Sequence, residues 1–433
     1  MSNIRKLAGQ FKDLEEKLSV CTRCGMCQVV CPLYAETGRE SDLARGKLAL
    51  LDGLAQEMFK NPDGVSERLN RCLLCGSCQA GCSSGVDVIE IFLKARSILA
   101  EFKGLSQTQK LLFRSVLAKP ELFNALSNIV SKFQPLLTRK VNQSLGTSCA
   151  RMATPLLGNR HFVPLSTEPF HQKTPMLDTP PGKSGVRVGF FVGCLLDKVF
   201  PRVAEATIQV LQHHCVGIWM PKNQGCCGIP ALSSGDVPSF RQLVQHNINL
   251  FDAMQMDYLI TSCATCTYTI KKIWPMMIQS DSREVTEKVN ALSAKTMDIS
   301  QFLVKILGVS ASSSEKTSSR KKITYHDPCH LKKSLGISVE PRMLIHADPD
   351  SSLVEMADAD RCCGMGGSFN LHHYDLSAEI GYEKASRILD TGCNMAATSC
   401  PACMAQLSDA LSRCKSTIQV KHVVEIYADS IRE

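Results

Sequence analysis

Eight cysteines near the N-terminus fall into two runs of one spacing: Cys21, Cys24, Cys27 and Cys31 in "CTRCGMCQVVCP", then Cys72, Cys75, Cys78 and Cys82 in "CLLCGSCQAGCS". Both read C-x2-C-x2-C-x3-C. A [4Fe-4S] cubane needs four thiolates, and a two-residue spacing lets one loop present three of them to one face. In two-cluster proteins with this run, the fourth cysteine of each run serves the other cluster. The spacing therefore predicts Cys21, Cys24, Cys27 and Cys82 on one cluster, and Cys72, Cys75, Cys78 and Cys31 on a second. Zinc is the competing metal, but it takes four ligands, usually as two separated CxxC pairs. Eight cysteines in matched runs exceed that need.

Ten further cysteines follow a second pattern. "VRVGFFVGC", "QGCCG" and "DYLITSCATC" carry Cys194, the pair Cys226 and Cys227, then Cys263 and Cys266. "KITYHDPC", "RCCG" and "MAATSCPAC" carry Cys329, the pair Cys362 and Cys363, then Cys400 and Cys403. The two copies are offset by 135, 136 and 137 residues at their three anchors, which marks an internal repeat. Adjacent cysteines seldom close a disulfide, because the ring would be strained. Five thiolates are also one too many for a single fully ligated cubane. The surplus points to a larger or differently shaped cluster, with the paired sulfurs on different irons or one of them bridging two. Gly228 and Gly364, directly after the pairs, would let the backbone approach such a cluster at positive φ.

These spacings, C-x31-CC-x35-C-x2-C and C-x32-CC-x36-C-x2-C, resemble the CCG domain, the cysteine-rich module of heterodisulfide reductase catalytic subunits. The whole layout resembles a wider family with two ferredoxin motifs, a helical linker and two CCG domains. That family includes the iron–sulfur subunits of glycolate oxidase and lactate dehydrogenase, the C subunit of anaerobic glycerol-3-phosphate dehydrogenase, and the D subunit of heterodisulfide reductase. "GCLLDKVFP", "YHDPCHLKKSLG" and "RCCGMGGSF" look closest to the glycolate/lactate branch. The resemblance implies a noncubane [4Fe-4S] cluster on Cys194, Cys226, Cys227, Cys263 and Cys266, and another on Cys329, Cys362, Cys363, Cys400 and Cys403. It implies an electron-transfer subunit, with substrate oxidation on a separate FAD-dependent 2-hydroxyacid dehydrogenase and a quinone or other carrier as acceptor. The alternatives are disulfide reduction at a noncubane cluster and a glycerol-3-phosphate dehydrogenase subunit. No Walker loop or G-x-G-x-x-G is present, so no FAD or NAD is expected on this chain. Oxidising a hydroxy acid removes two electrons, and a flavin is what splits such a pair for one-electron clusters.

The elements that must position these thiols set the expected fold class: multidomain α plus α/β. Residues 1–105 read as a helical two-cluster ferredoxin-type domain, with 40 residues between Cys31 and Cys72. Residues 106–153 read as a helical connector, broken by Pro120 and Pro135, and residues 154–185 as a proline-rich linker. Residues 186–307 and 323–433 read as two CCG domains, joined by a Ser/Lys-rich linker over 308–322. In each repeat the first cysteine and the CxxC follow short apolar runs, which suggests parallel strands with crossover helices. Ligands of open parallel sheets sit beyond the C-terminal strand ends, so thiols distant in sequence should converge there.

Composition narrows the rest. With 22 cysteines in 433 residues, clustered as they are, metal binding in a reducing compartment accounts for them better than disulfides. The charged N-terminus lacks the apolar segment of a secretory signal, so a cytoplasmic protein is expected, with peripheral contact on the inner face of a membrane as an option. The net charge is +8, but aromatics make up only 6% and no nucleic-acid module is seen, so no nucleic-acid partner is expected. The stretch Lys110 to Lys140 is apolar and basic, with six Lys or Arg and one acid, Glu121. It reads either as packed helices or as an amphipathic surface for a membrane or an acidic partner. His326, Asp327 and His330 surround Cys329 and read first as turn chemistry and local hydrogen bonding, with tuning of the cluster or proton movement as the alternative. Cys149, Cys215, Cys393 and Cys414 receive no role.

Overall fold

The computed structural model describes residues 2–151, 158–252, 254–279, 282–312 and 321–432. Its N-terminal part is helical. The helix Ala44–Ala55 turns Leu48, Leu51 and Leu54 inward, and Val88–Lys103 answers with Ile91, Phe92 and Leu99. Leu7 and Phe11 of Ser2–Lys12 close the same core. Apolar residues three and four apart form one face of a helix, and here that face is the buried one. Asp87 caps the second helix by accepting the Glu90 N–H at 3.3 Å.

The connector is broken before Pro120, as expected, where the helical segments Gln107–Lys110 and Leu111–Leu117 end, but it is not broken at Pro135. Pro120 opens an unbroken helix, Pro120–Leu137, and Pro135 lies in its last turn. A proline at the first helical position sacrifices no bond, and near the end it sacrifices one. After this helix the chain forms an antiparallel hairpin of β1 (Thr138–Asn142) and β2 (Thr147–Ala150), where helix was expected. The proline-rich stretch is not wholly irregular either. It gives a short strand, β3 (Leu177–Asp178), that pairs antiparallel with the edge of the next sheet.

That sheet contains β4 (Arg187–Phe190), β5 (Gly217–Met220), β6 (Tyr258–Thr261) and β7 (Thr296–Asp298), in the order β3-β5-β4-β6-β7. The second contains β8 (Lys321–His326), β9 (Ser351–Leu353), β10 (Met395–Thr398) and β11 (Gln419–His422), in the order β11-β10-β8-β9. Read from the opposite edge, the second repeats the first as β9-β8-β10-β11 against β5-β4-β6-β7. All these pairings are parallel apart from that of β3. The repeat in the cysteines is thus a repeat in topology. A helical two-run domain precedes two α/β units with parallel sheets.

Candidate iron–sulfur centres

Each N-terminal run is bent by left-handed backbone at matched points. Gly25 (φ 90°) and Gly76 (φ 72°) follow the second cysteine, and Arg23 (φ 57°) and Leu74 (φ 53°) precede it. Non-glycine residues seldom adopt this conformation, so neither bend at Arg23 nor at Leu74 was legible in the residue types. The bends turn backbone N–H groups onto sulfur. Leu74 N–H donates to Cys72 Sγ at 3.4 Å, and Val86 N–H to Cys82 Sγ at 3.5 Å. The Met26 N–H hydrogen-bonds Cys24 and lowers its thiol pKa.

Cys21, Cys24, Cys27 and Cys82 line one small cavity of about 30 Å³, with Cys78 on its inner wall. Cys31 lies with Cys72 and Cys75, and burial pushes its thiol up to about 12. Cys78 is close to Cys72, Cys75, Cys31 and Cys27. The fourth cysteine of each run therefore sits beside the other run's three. Iron binding would release the protons of such buried thiols. Lys47 is buried beneath this second group and donates to the Asp42 carbonyl.

In the α/β units every cysteine of the repeat follows the C-terminal end of a parallel strand or starts the next helix. Cys194 begins the helix Cys194–Lys198, and Cys329 begins Cys329–Leu335. Cys263 and Cys400 cap the helices that follow β6 and β10. The paired cysteines sit in pinned turns. Asn247 Nδ2 donates to the Cys226 carbonyl at 3.0 Å while its Oδ1 accepts the Gly225 N–H at 2.9 Å. Trp274 Nε1 donates to the Cys227 carbonyl at 2.9 Å. Gly228 and Gly364 lie at φ 91° and 93°, and a Cβ on Gly364 would stand 2.7 Å from the Ser377 carbonyl oxygen. Only glycine fits both demands.

Within the first unit Cys194 and Cys226 sulfurs are 3.7 Å apart, and Cys227 lies beside both Cys226 and Cys266. In the second, Cys329 lies beside Cys362, and Cys363 beside Cys362 and Cys403. The fold thus brings the five cysteines of each repeat together. The convergence goes further: all ten thiols line one cavity of about 390 Å³ between the two units. Sulfur-only donors of this softness suit iron–sulfur clusters, and so many at one place exceed what a single ion takes.

The groups also touch one another in an order the sequence does not show. Cys75 of the second run lies beside Cys362 of the second α/β unit, which raises its cost of ionising. Cys400 of that unit lies beside Cys263 of the first, and Thr265 Oγ1 is 3.5 Å from Cys400 Sγ. His330 stands at the meeting point, 3.2 Å from Thr265 Oγ1 through Nδ1 and 3.2 Å from the Leu74 carbonyl through Nε2. The N-terminal domain is held there by Lys333 Nζ, which donates to Ser77 Oγ at 2.7 Å. Arg96 ties it to the first unit, donating to the carbonyls of Leu69, Cys72 and Ser233 at 2.6, 2.7 and 2.8 Å.

Of the residues around Cys329, Asp327 is turn and ion-pair chemistry, bonded to Arg342 at 2.8 and 3.0 Å. His326 was not separable from it by sequence, yet it faces the thiols. Its ring offers a nitrogen within 4.8 Å of the Cys363 and Cys403 sulfurs. Cys149 is buried beside Arg139 Nε at 3.2 Å, and Cys215 is exposed.

Comparison with known proteins gives the same division. The 4Fe-4S dicluster domain matches residues 17–86, and the cysteine-rich CCG domain matches twice, over 188–271 and 323–408. The probable glycolate oxidase iron-sulfur subunit of Bacillus subtilis (strain 168) is 29% identical over 425 residues, covering 95% of this chain and 93% of that protein. Lactate utilization protein A of Shouchella clausii is 30% identical over 244 residues, covering 56% of this chain and 98% of that protein. The D subunit of the dihydromethanophenazine:CoB–CoM heterodisulfide reductase of Methanosarcina barkeri is 25% identical over 441 residues, covering 96% of this chain and 94% of that protein. Iron–sulfur clusters are therefore the cofactors of this fold.

Proposed function

This chain belongs to the family of iron–sulfur proteins in which a 4Fe-4S dicluster domain precedes two CCG domains, and on that premise we propose that it is the electron-transfer subunit of a flavin-dependent 2-hydroxyacid dehydrogenase. The substrate is lactate or glycolate, oxidised to the 2-oxoacid on a separate FAD subunit with release of two electrons and two protons. A quinone takes up the pair and becomes the quinol, and the complex meets its carrier at the inner face of the membrane.

In this reading residues 1–105, 186–307 and 323–433 act as the cluster domains. Cys21, Cys24, Cys27 and Cys82 hold one cubane, and Cys72, Cys75, Cys78 and Cys31 the other. The two sets of five around Cys226–Cys227 and Cys362–Cys363 hold noncubane clusters. The bound clusters supply one-electron transfer. The chain's own residues fix the spacing between them. Arg96 and Lys333 clamp the N-terminal loops, and Asn247 and Trp274 clamp the Cys226–Cys227 turn. The observation that carries the reading is the order of contact, Cys78 beside Cys27, Cys75 on Cys362, and Cys400 on Cys263. It supports one line of centres from the N-terminal domain through the second α/β unit to the first.

The cavity shared by ten thiols favours a second reading, disulfide reduction between the two α/β units. Anaerobic affinity purification from the native cell, with partners identified by mass spectrometry, separates the two. A co-purifying FAD-dependent hydroxyacid dehydrogenase is the expected result. A b-type cytochrome or a hydrogenase without any flavoprotein would overturn it in favour of the second.

A further inference from the structure

The helix Pro120–Leu137 is amphipathic in the wrong sense for a packed helix. Leu122, Leu126, Ile129, Phe133 and Leu136 recur at spacings of three and four, with Val130 and Leu137 beside them. In a globular domain such a stripe faces the core. Here these seven are between 38% and 72% exposed, while Pro120 and Ser131 are the helix residues that are buried. The inner side is accounted for: Asn124 Oδ1 accepts from Lys198 Nζ at 2.6 Å, and Gln134 Nε2 donates to the Leu165 carbonyl at 2.6 Å.

We propose that this helix lies flat on an anionic phospholipid bilayer and seats the first α/β unit at the membrane surface. It deepens the peripheral contact proposed above and rests on that reading for the membrane-borne carrier. Charge chooses the occupant. From Leu122 to Thr167 the chain has no Asp or Glu but carries the exposed cations Lys132, Arg139, Lys140 and Arg151. Lys119, Lys132 and Lys140 are exposed around the apolar stripe. The helix's one acid, Glu121, is bonded to Asn223 at 3.1 Å. Basic residues bordering exposed Leu, Ile and Phe match lipid phosphates above acyl chains. A second copy would bring the same cations together, with Glu121 as the helix's one carboxylate to offset them. At 1.5 Å per residue the helix is about 27 Å long, enough to lie in the interface plane but, with Lys132 and two prolines, not built to cross it. Among the described residues no helix is long and apolar enough to span a membrane.

The placement serves the line of centres. On their inner side Phe123 and Asn124 roof a cavity of about 40 Å³ that opens onto Cys194 and Cys226. The end of the cysteine chain would thus face the bilayer through one layer of helix. The same cavity holds His171 and Asp197, bonded at 2.8 Å.

The test is co-sedimentation of the full, cluster-loaded chain with vesicles of phosphatidylcholine alone or with about a third phosphatidylglycerol. Binding to the anionic vesicles is expected, weakening as salt rises from about 0.05 to 0.5 M. The double variant Ile129→Glu, Phe133→Glu should lower the bound fraction at least about tenfold with the cluster spectrum unchanged. Lys132→Glu with Lys140→Glu should reduce binding to anionic vesicles only. No binding, or equal binding to neutral vesicles, overturns the inference. So does a dimer, or a flavoprotein complex, that the Ile129/Phe133 variant dissolves. Reduction of the clusters in solution by a partner flavoprotein is read separately, so this inference can fail while the electron-transfer reading stands.

Discussion

Replacing His326 by phenylalanine should lower the midpoint potential of the cluster proposed for the second CCG unit by about 45 mV and leave that of the first unit unchanged. His326 ends β8 and is fully buried. Neither ring nitrogen makes a hydrogen bond of normal geometry among the described residues. The Ala359 carbonyl that comes near the ring is already taken by the Asp327 N–H at 3.0 Å and by Lys384 at 3.4 Å. Burial pushes the imidazole pKa down to about 3, so the ring is neutral at ordinary pH and carries one N–H. The Cys363 and Cys403 sulfurs lie within 4.8 Å without a hydrogen bond to the ring, and the expectation is that this N–H closes onto one of them once the cluster is bound. A hydrogen bond to a charged acceptor contributes about 1.5–3 kcal/mol, and it strengthens as the acceptor gains negative charge. If about 1 kcal/mol of that belongs to the reduced state alone, the one-electron shift is about 45 mV, because 59 mV corresponds to tenfold. The first unit supplies the control: Phe191 stands three residues before Cys194, as His326 does before Cys329, and is also buried. The assay is an anaerobic redox titration of the loaded protein followed by EPR, repeated at two pH values. The shift should not depend on pH, since the ring stays neutral. A midpoint moved by less than about 10 mV, or a second unit that no longer binds its cluster, would refute the reasoning.

Three other outcomes follow from the same geometry. Gly364→Ala should cost about 2–3 kcal/mol through left-handed strain and the contact with the Ser377 carbonyl, seen as iron lost from the second unit while the N-terminal clusters remain. Arg96→Met removes the donor from three buried carbonyls. Its Nε has no hydrogen-bond partner and its burial is itself costly, so the net loss should be about 3 kcal/mol, read as roughly hundredfold faster hydrogen exchange over residues 69–75 and 229–236 and refuted by exchange within about threefold. Burial raises the Asp298 carboxyl to about 7. Its folded pKa lies above the unfolded value, so the stability it contributes is present at low pH and lost as pH rises towards about 7. The stability of wild type relative to Asp298→Asn should therefore fall between roughly pH 4 and 7 and level off above that, and a relative stability that rises over this range would show the wrong sign.

What could be read from sequence were features carried by residue type and spacing. The two C-x2-C-x2-C-x3-C runs, the 135–137-residue repeat and the parallel sheets all rest on cysteines and apolar runs with fixed intervals. What escaped depends on partners distant in the chain. The hairpin Thr138–Ala150 forms where the charged "TRKVN" offers little strand signal, and it is anchored from outside, Thr147 Oγ1 to Ser412 Oγ at 2.7 Å and Asn142 Nδ2 to the Ser416 carbonyl at 2.7 Å. Pro120 marks a real break, but Pro135 looked like one only because the helix register around it was unknown. The contacts Cys75 to Cys362 and Cys263 to Cys400 belong to domain docking, which no local pattern encodes. Sequence order would have placed the first CCG unit next to the N-terminal clusters, and the fold places the second there.

The central claim is that this chain accepts electrons from a flavoprotein that oxidises a hydroxy acid. It is tested most directly by mixing the loaded chain anaerobically with the co-purified flavoprotein and lactate or glycolate, then following the clusters by freeze-quench EPR. Signals of reduced clusters should appear only when flavoprotein and hydroxy acid are both present, and within the turnover time of the flavoprotein. A flavin that is reduced while every cluster stays oxidised through many turnovers, or clusters that respond to a disulfide without the flavoprotein, would contradict the account.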